Sequence, residues 1–260
     1  FGLASGAVFS DLDDDGDPDL AVACEWGPIR LLRNDGGRFS EWPARLTWQN
    51  PPPGAPRSLD QLKGWWTSVT AGDFDGDGRQ DLIAGNWGTN HKYRRDLSFA
   101  HPRALYWGDL DESGTVDLVE AVFSPDLGAE APERGYLAVL EAMPFIREHI
   151  ETFEAYGTNS LSAIYGDRLA GAARVEVNFL ESILLLNRGD HFEVRALPAE
   201  AQFSPAFGLA VGDLDGDGAE DLFVAQNFFA TNVEYTRYDL SLIHISEPTR
   251  LLSISYAVFC

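Results

Sequence analysis

Asp11-Leu12-Asp13-Asp14-Asp15-Gly16-Asp17-Pro18-Asp19 is the stretch that decides the fold. Its pattern, D-x-D-x-D-G-x-x-D, returns with small changes at residues 73–81, 109–117 and 213–221. Each of the four copies lies between two short apolar runs. Short β-favouring runs on both sides of a Gly/Asp-rich turn predict a β-hairpin. The four copies therefore predict an internal repeat of β-hairpins, each with an acidic loop at its turn.

A second repeated element predicts how the hairpins assemble. Leu31–Phe39 resembles Leu185–Phe192, and both stretches predict a hairpin with an Asn/Gly turn. Two hairpins make a four-stranded sheet, which is one blade of a β-propeller. The predicted fold class is therefore all-β, a partial propeller of about four blades.

The long gaps between loops predict insertions. Residues 135–170 form the predicted helical insertion, and Gly135–Gly157 is its clearest part, with Pro144 at the start of the periodic stretch. Residues at helical spacing in it are Phe145, Ile146, His149, Ile150, Phe153 and Tyr156. Asp126–Glu133 is predicted to be the linker into this insertion. We interpret the helical part as a cap on the propeller rather than a separate domain.

Alternate positions of each loop supply the oxygen atoms of a predicted metal site. The side chains at loop positions 1, 3, 5 and 9 are expected to converge on one point, and position 7 is expected to add its backbone carbonyl. The predicted ligands are Asp11, Asp13, Asp15, Asp17 and Asp19; Asp73, Asp75, Asp77, Arg79 and Asp81; Asp109, Asp111, Ser113, Thr115 and Asp117; and Asp213, Asp215, Asp217, Ala219 and Asp221.

Hard oxygen ligands without His or Cys fit Ca²⁺, so we predict about four structural Ca²⁺ sites. The first half of each loop resembles an EF-hand, but an EF-hand needs a bidentate Glu at position 12 and flanking helices. Position 12 is Val22, Ala84, Glu120 or Val224, and the flanking segments are predicted strands. The aspartate at position 9 is expected to close each site instead.

Composition restricts the partners. The formal net charge is -22, and the four loops hold 19 of the 41 acidic residues. Such a surface repels nucleic acid and anionic membranes and attracts cations. We expect neither a nucleic-acid partner nor a membrane span, since no apolar run reaches about 20 residues. The sequence opens without Met, and we expect the true N-terminus and any targeting signal to precede it.

The last stretch is predicted to be non-native. Residues 240–260, beginning Leu-Ser-Leu-Ile-His-Ile-Ser-Glu-Pro-Thr-Arg, look like a translated sequencing adapter followed by a barcode. We therefore divide the chain into a propeller fragment at residues 1–239 and an adapter-derived tail at residues 240–260. This leaves Cys24 as the one native cysteine, with no disulfide partner.

The loops resemble the FG-GAP/VCBS repeats found in the propellers of integrin α chains. Over most of residues 1–239 the chain also resembles bacterial proteins related to cartilage acidic protein, which are often associated with an ASPIC/UnbV module. The supporting segments are Gly64–Ser68, Ala84–Tyr93, Gln202–Pro205 and Arg237–Asp239. The resemblance implies a secreted or cell-surface, non-enzymatic propeller, usually of seven blades. Ser113 departs from the repeat pattern, which weakens the prediction for the third loop.

These observations predict a non-catalytic binding or adhesion scaffold that is held together by Ca²⁺, with an unknown protein or glycan ligand. No nucleophile-elbow or P-loop motif favours an enzyme. Two alternatives stay open: a carbohydrate-binding propeller, and an accessory domain of a larger secreted enzyme. Trp65, Trp66, Trp87 and Trp107 are expected to pack between blades, and some of them would form the sugar-binding face of the first alternative.

Overall fold

The computed structural model describes residues 2–228 and, for the backbone alone, residues 238–245 and 254–257. Its strands are β1 (Leu3–Ser10), β2 (Asp19–Pro28), β3 (Arg30–Asp35), β4 (Arg38–Glu41), β5 (Leu46–Trp48), β6 (Lys63–Trp65), β7 (Ser68–Gly72), β8 (Asp81–Gly85), β9 (Arg103–Gly108), β10 (Asp117–Ser124), β11 (Ala129–Pro132), β12 (Ala173–Val177), β13 (Ile183–Asn187), β14 (Phe192–Ala196), β15 (Gly208–Gly212), β16 (Asp221–Phe228), β17 (Tyr238–Ile245) and β18 (Ile254–Ala257). Its helices are α1 (Tyr136–Ala142), α2 (Phe153–Thr158), α3 (Leu161–Tyr165) and α4 (Asp167–Ala170), with 3-10 turns at Leu59–Gln61, Lys92–Arg94, Pro144–Glu148 and Ala199–Gln202. No helix within the described residues is long and apolar enough to cross a membrane.

The four predicted hairpins are present, and the mostly β character of the chain is confirmed. They are the antiparallel pairs β1/β2, β7/β8, β9/β10 and β15/β16. In each pair the last cross-strand partner before the loop is the residue at loop position 9, as in Ser10 opposite Asp19. Each acidic loop is therefore the connection of its hairpin, and the strands hold its two ends side by side.

The chain forms two compact units. Unit 1 comprises residues 1–94 and 179–260, and unit 2 comprises residues 95–178. Unit 1 contains three sheets with the strand orders β1-β2-β3-β4 (with β6 beside β2), β5-β14-β13-β8-β7 and β15-β16-β17-β18. All five residues of β8 and all five of β13 are buried, as a continuous apolar run in a central strand predicts.

Both predicted outer hairpins are present in unit 1. The hairpin β3/β4 continues the sheet of the first loop. The hairpin β13/β14 pairs with β8 of the second loop, although about 100 residues separate them in the chain. Unit 2 therefore lies, in sequence, between two adjacent strands of one sheet. Sequence spacing alone does not show this, because it gives no partner for an outer hairpin.

Unit 2 has its own sheet, in the order β11-β10-β9-β12, and its own core. The core joins Val119 and Ala121 of the sheet to Tyr136, Ile146 and other apolar residues of the helical part. The predicted linker at Asp126–Glu133 is wrong, because it contains β11, which pairs with β10.

The predicted helical stretch is broken into short pieces. Pro144 begins a 3-10 turn that ends at Glu148, because proline lacks the N–H that would continue α1. Thr152 then caps α2, its Oγ1 accepting a hydrogen bond from Ala155 N at 3.1 Å. The predicted helical stretch Gly135–Gly157 is therefore present as three short helical segments.

Strands β17 and β18 lie within or beside the predicted tail at residues 240–260. β17 pairs with β16, and β18 pairs with β17. Pairing of this kind is open to any β-favouring sequence, so the non-native origin of the tail stays a prediction. Residues 246–253 and 258–260 of the tail lie outside the described residues.

Candidate metal centres

Each acidic loop brings three carboxylates together. Ligand oxygens of three aspartates lie within 4.8 Å of one another in every loop. The four groups are Asp11, Asp13 and Asp15; Asp73, Asp75 and Asp81; Asp109, Asp111 and Asp117; and Asp213, Asp215 and Asp221. Positions 1 and 3 thus belong to all four groups, position 5 joins them in the first loop, and position 9 joins them in the others. The complete ligand set and the position-7 carbonyls stay a prediction.

The carboxylate at position 1 organises the loop backbone. Asp11 accepts hydrogen bonds from Asp15 N at 3.2 Å and from Gly16 N at 2.9 Å. Asp73, Asp109 and Asp213 accept the corresponding bonds from positions 5 and 6 of their loops. These bonds curl the loop around its first aspartate, and in the first loop the side chains at positions 3 and 5 both join the cluster.

Two left-handed residues in each loop make this curl possible. Position 6 is glycine in all four loops, with φ between 85° and 93°. Position 4 is left-handed as well, and it is Gly76 and Gly216 in two loops but Asp14 and Glu112 in the others, with φ of 60° and 62°. The second position was missed by sequence reasoning, which required only one sharp turn per loop. A glycine at position 4 of two repeats was the available signal.

The aspartate at position 9 ties the end of the loop back to its beginning. Its Oδ2 accepts a hydrogen bond from the N–H at position 2 in every loop, for example from Leu12 N to Asp19 at 3.0 Å. Asp19, Asp81 and Asp221 are completely buried. Each of these carboxylates is thus held as a structural acceptor while it also faces the acidic cluster.

Two asparagines complete this arrangement in unit 1. Asn34 N donates to Asp19 Oδ1 at 2.8 Å, and Asn187 N donates to Asp81 Oδ1 at 2.7 Å. Both asparagines stand at corresponding places in the outer hairpins β3/β4 and β13/β14. Sequence reasoning missed them as site residues; the signal was an Asn that ends an apolar run just before a Gly turn.

The carboxylates at position 3 show that the loops suit a cation. Both Asp13 oxygens are buried and lack a hydrogen-bond partner among the described residues, although Oδ2 lies 2.7 Å from Arg33 Nε. Asp75 Oδ1 is buried without a partner as well, while its Oδ2 lies 2.6 Å from Arg188. Buried oxygens of this kind are destabilising unless they are paired, and a divalent cation would pair them.

Electrostatics point the same way. Burial raises the pKa of Asp13, and repulsion from the Asp19 carboxylate adds to the rise. Burial also raises the pKa of Asp81 to about 7, against hydrogen bonds from Asn187 and Phe74 that favour the charged form. A bound cation opposes both effects, because it stabilises the ionised carboxylates. The donor set, which is all oxygen, fits Ca²⁺.

The loop of unit 2 has a less buried closing aspartate than the loops of unit 1. Asp117 is only partly buried, and position 5 is Ser113, whose hydroxyl contacts Thr115 Oγ1 at 2.8 Å. The hydrogen bonds from Ser113 lower the pKa of Asp111. Arg168 of the helical part donates to the carbonyl of Leu110 at 2.6 Å, which covers the loop at position 2.

Aromatic side chains gather in unit 1 where β6, β8 and β16 end. Trp65 meets Trp26, Trp87 and Tyr93 in edge-to-face contacts, with ring centroids 5.0 to 5.5 Å apart. Trp87 continues the cluster to Phe207 and Phe228. Trp65 and Trp66 are buried and Trp107 is 45 % exposed on β9 of unit 2, and the packing of these residues between blades stays a prediction.

The fold and the loops define a class: a mainly β repeat protein whose hairpins end in acidic, cation-suited turns. The comparison with protein families gives the more particular result, since residues 11–84 match an FG-GAP-like repeat. The matched stretch contains the first two acidic loops. It supports the predicted repeat family for this part of the chain. No curated protein matches the sequence.

Proposed function

We propose that this chain is a Ca²⁺-binding, non-catalytic scaffold of the propeller type that binds a partner outside the cell or at its surface. The observation that carries the proposal is the first carboxylate cluster, in which Asp13 Oδ1 is buried without a hydrogen-bond partner among the described residues and Asp13 Oδ2 faces Arg33. The FG-GAP-like match supports the propeller-type repeat. The proposal includes kinship with the bacterial proteins related to cartilage acidic protein.

Ca²⁺ in this proposal is structural. Extracellular modules bind it with Kd values of about 10⁻⁴ to 10⁻³ M. At millimolar Ca²⁺ and a Kd near 10⁻⁴ M, one site stabilises the fold by about 1.4 kcal/mol. Four sites together would contribute an amount comparable with the whole stability of an ordinary domain, about 5–15 kcal/mol. The loops would then need the Ca²⁺ concentrations found outside cells to hold their shape.

Thermal unfolding of the full chain tests the proposal. We expect the Tm to rise by several degrees in millimolar Ca²⁺ relative to chelator, and calorimetry to detect Ca²⁺ binding. Mg²⁺ at the same concentration is the matched control, and we expect a smaller effect because Mg²⁺ demands stricter geometry. The same Tm in Ca²⁺ and in chelator, with no heat of binding, would contradict the proposal.

Carbohydrate binding is the second candidate, and the aromatic cluster favours it. Trp26 and Trp87 are only partly buried, and Phe207 is 43 % exposed, so part of the cluster reaches solvent. Partly exposed aromatic rings supply contact area at low entropy cost. A glycan array probed with the native chain and with Trp87→Ala tests it: binding that Trp87→Ala abolishes supports the candidate, and an array without signal contradicts it.

A further inference from the structure

Two acidic loops of unit 1 share one asparagine. Asn187 stands beside the second loop, where its N–H donates to Asp81 Oδ1 and its Nδ2 donates to Gln80 O at 3.1 Å. The same Nδ2 also donates to the carbonyl of Leu12, in the first loop, at 2.7 Å. This last bond is buried. One side chain thus bridges two candidate metal sites.

The bridge reaches a predicted ligand on each side. Leu12 N donates to Asp19 Oδ2, and Asp19 is the residue expected to close the first site. A continuous path therefore runs from Asp19 through Leu12 and Asn187 to Asp81, with every step a hydrogen bond of 2.7 to 3.0 Å. All three hydrogen bonds are buried. A displacement of the Asp19 carboxylate would therefore distort the hydrogen bonds that hold the Asp81 carboxylate, and the reverse.

Asn34 is the natural comparison for Asn187. Its N–H donates to Asp19 Oδ1, its Nδ2 donates to Pro18 O at 3.0 Å, and its Oδ1 accepts from Gly37 N. Asn187 makes the same three kinds of bond, two of them to the acidic loop at residues 73–81 and the last from Gly189 N of its own hairpin. The bond to Leu12 is what Asn187 adds. The two asparagines thus separate the role inside one loop from the role between two loops.

A second bridge joins the loops at residues 73–81 and 213–221. Glu220, at position 8 of the latter loop, accepts a hydrogen bond from Asp73 N at 2.6 Å. Asp73 is the first predicted ligand of its loop, so its backbone is held by a neighbouring repeat. The three loops of unit 1 are therefore connected in a row, with the loop at residues 73–81 in the middle.

We propose that Asn187 and Glu220 are positioning residues through which the three loops of unit 1 bind Ca²⁺ cooperatively. The inference rests on the proposed Ca²⁺ function and names its regulation. Filling the middle loop fixes Asp81, and with it the bridge that orders the peptide groups around Leu12. The effect is reciprocal, because a coupling free energy acts equally in both directions.

A loss of one site tests the coupling in the full chain. Asp75→Asn removes a carboxylate from the middle loop without touching either bridge. We expect it to weaken Ca²⁺ binding at the remaining loops by about five-fold or more, as measured by calorimetry, which is typical of coupled sites. In an Asn187→Ala, Glu220→Ala background the same change should have less than about a two-fold effect on those loops.

Matched variants distinguish the coupling role of Asn187 and Glu220 from a general effect on the stability of the fold. Asn34→Ala loses the side-chain bonds to Pro18 O and from Gly37 N, keeps the backbone bond to Asp19 and removes no bridge, so the coupling should persist. Glu220→Gln keeps an acceptor for Asp73 N and should behave like the native chain, which gives a readout even if Asn187→Ala fails to fold. If Asp75→Asn leaves the other loops unaffected in the native background, the sites are independent and the inference is overturned. An absence of all Ca²⁺ binding would instead overturn the proposed function itself.

Discussion

The acidic loops of unit 1 and the acidic loop of unit 2 share a sequence pattern but not the same support. In the first two loops of unit 1, the closing aspartate is completely buried and accepts hydrogen bonds on both oxygens, one from its own loop and one from an outer-strand asparagine. In unit 2, Asp117 is partly exposed and accepts from Leu110 N. The strand β11, which stands beside β10 there, ends in Pro132 and supplies no such asparagine.

The carbonyl at loop position 2 shows the same difference. Asn187, in a neighbouring sheet, binds the carbonyl of Leu12 in unit 1, whereas Arg168, in the helical part, binds the carbonyl of Leu110 in unit 2. The buried amide of Asn187 thus connects two repeats, whereas the Arg168 side chain contacts a single acidic loop, that of unit 2. The nine-residue pattern therefore specifies the turn, while the neighbouring elements determine how many buried hydrogen bonds stabilise it.

Replacing the aspartate at position 9 should give the largest difference in stability loss between the loops of unit 1 and the loop of unit 2. Asp81→Ala leaves the buried N–H groups of Phe74 and Asn187 without an acceptor, so we expect unit 1 to lose about 3 kcal/mol or more, at roughly 1–3 kcal/mol per group. Asp117→Ala leaves the partly buried N–H of Leu110 without its acceptor, and we expect unit 2 to lose about 1 kcal/mol of unfolding free energy. Hydrogen exchange resolved to β8 and β10 in Ca²⁺ measures each loss separately. Equal losses in the two strands would contradict the difference in support.

A carboxylate at position 5 should raise the Ca²⁺ affinity of the unit 2 loop toward that of the unit 1 loops. Ser113→Asp adds a fourth aspartate carboxylate to a loop where Asp109, Asp111 and Asp117 already cluster. Because ligand charge tunes Ca²⁺ affinity, we expect the Kd of this site to fall by about ten-fold. Asp217→Ser makes the reverse change in the loop at residues 213–221 and should weaken that site by a similar factor. Unchanged calorimetric isotherms for both variants would show that position 5 is not a ligand.

Local sequence was enough to predict the hairpins, because each depends on a short apolar run beside a Gly/Asp turn. The carboxylates at positions 1 and 3 were predicted on the same basis, and the structure brings them together in all four loops. Strand partners were not predictable in this way. The pairing of β8 with β13 joins residues about 100 positions apart, and no local pattern encodes such a partner.

Asn34 and Asn187 were missed for the same physical reason. Each is a loop neighbour only after an outer strand has been placed beside an inner one, so its role exists only in the assembled sheet. The break near Pro144 is a different case, since the proline was read as the start of a periodic stretch, whereas it begins a short 3-10 turn. Apolar spacing continued through the break because both sides of it pack into one core.

The smallest expected effect concerns position 4, where the loops at residues 11–19 and 109–117 carry a side chain in a left-handed conformation. Asp14 and Glu112 have φ of 60° and 62°, whereas Gly76 and Gly216 occupy the same place in the other loops. Asp14→Gly and Glu112→Gly should relieve a strain of about 1 kcal/mol, partly offset by the greater freedom of glycine in the unfolded chain. The ion pairs that are lost, to Arg79 and Arg168, are exposed and contribute little.

We therefore expect a gain in unfolding free energy of about 0.5 kcal/mol, and a larger gain for Glu112→Gly, because aspartate tolerates the left-handed region better than glutamate. Urea unfolding in Ca²⁺ measures the gain. Gly76→Ala and Gly216→Ala are the matched controls. A Cβ at either glycine would meet no atom within 4 Å, so a loss of stability reports backbone strain rather than a steric clash. If the glycine variants and the alanine variants shift stability in the same direction, position 4 is not strained.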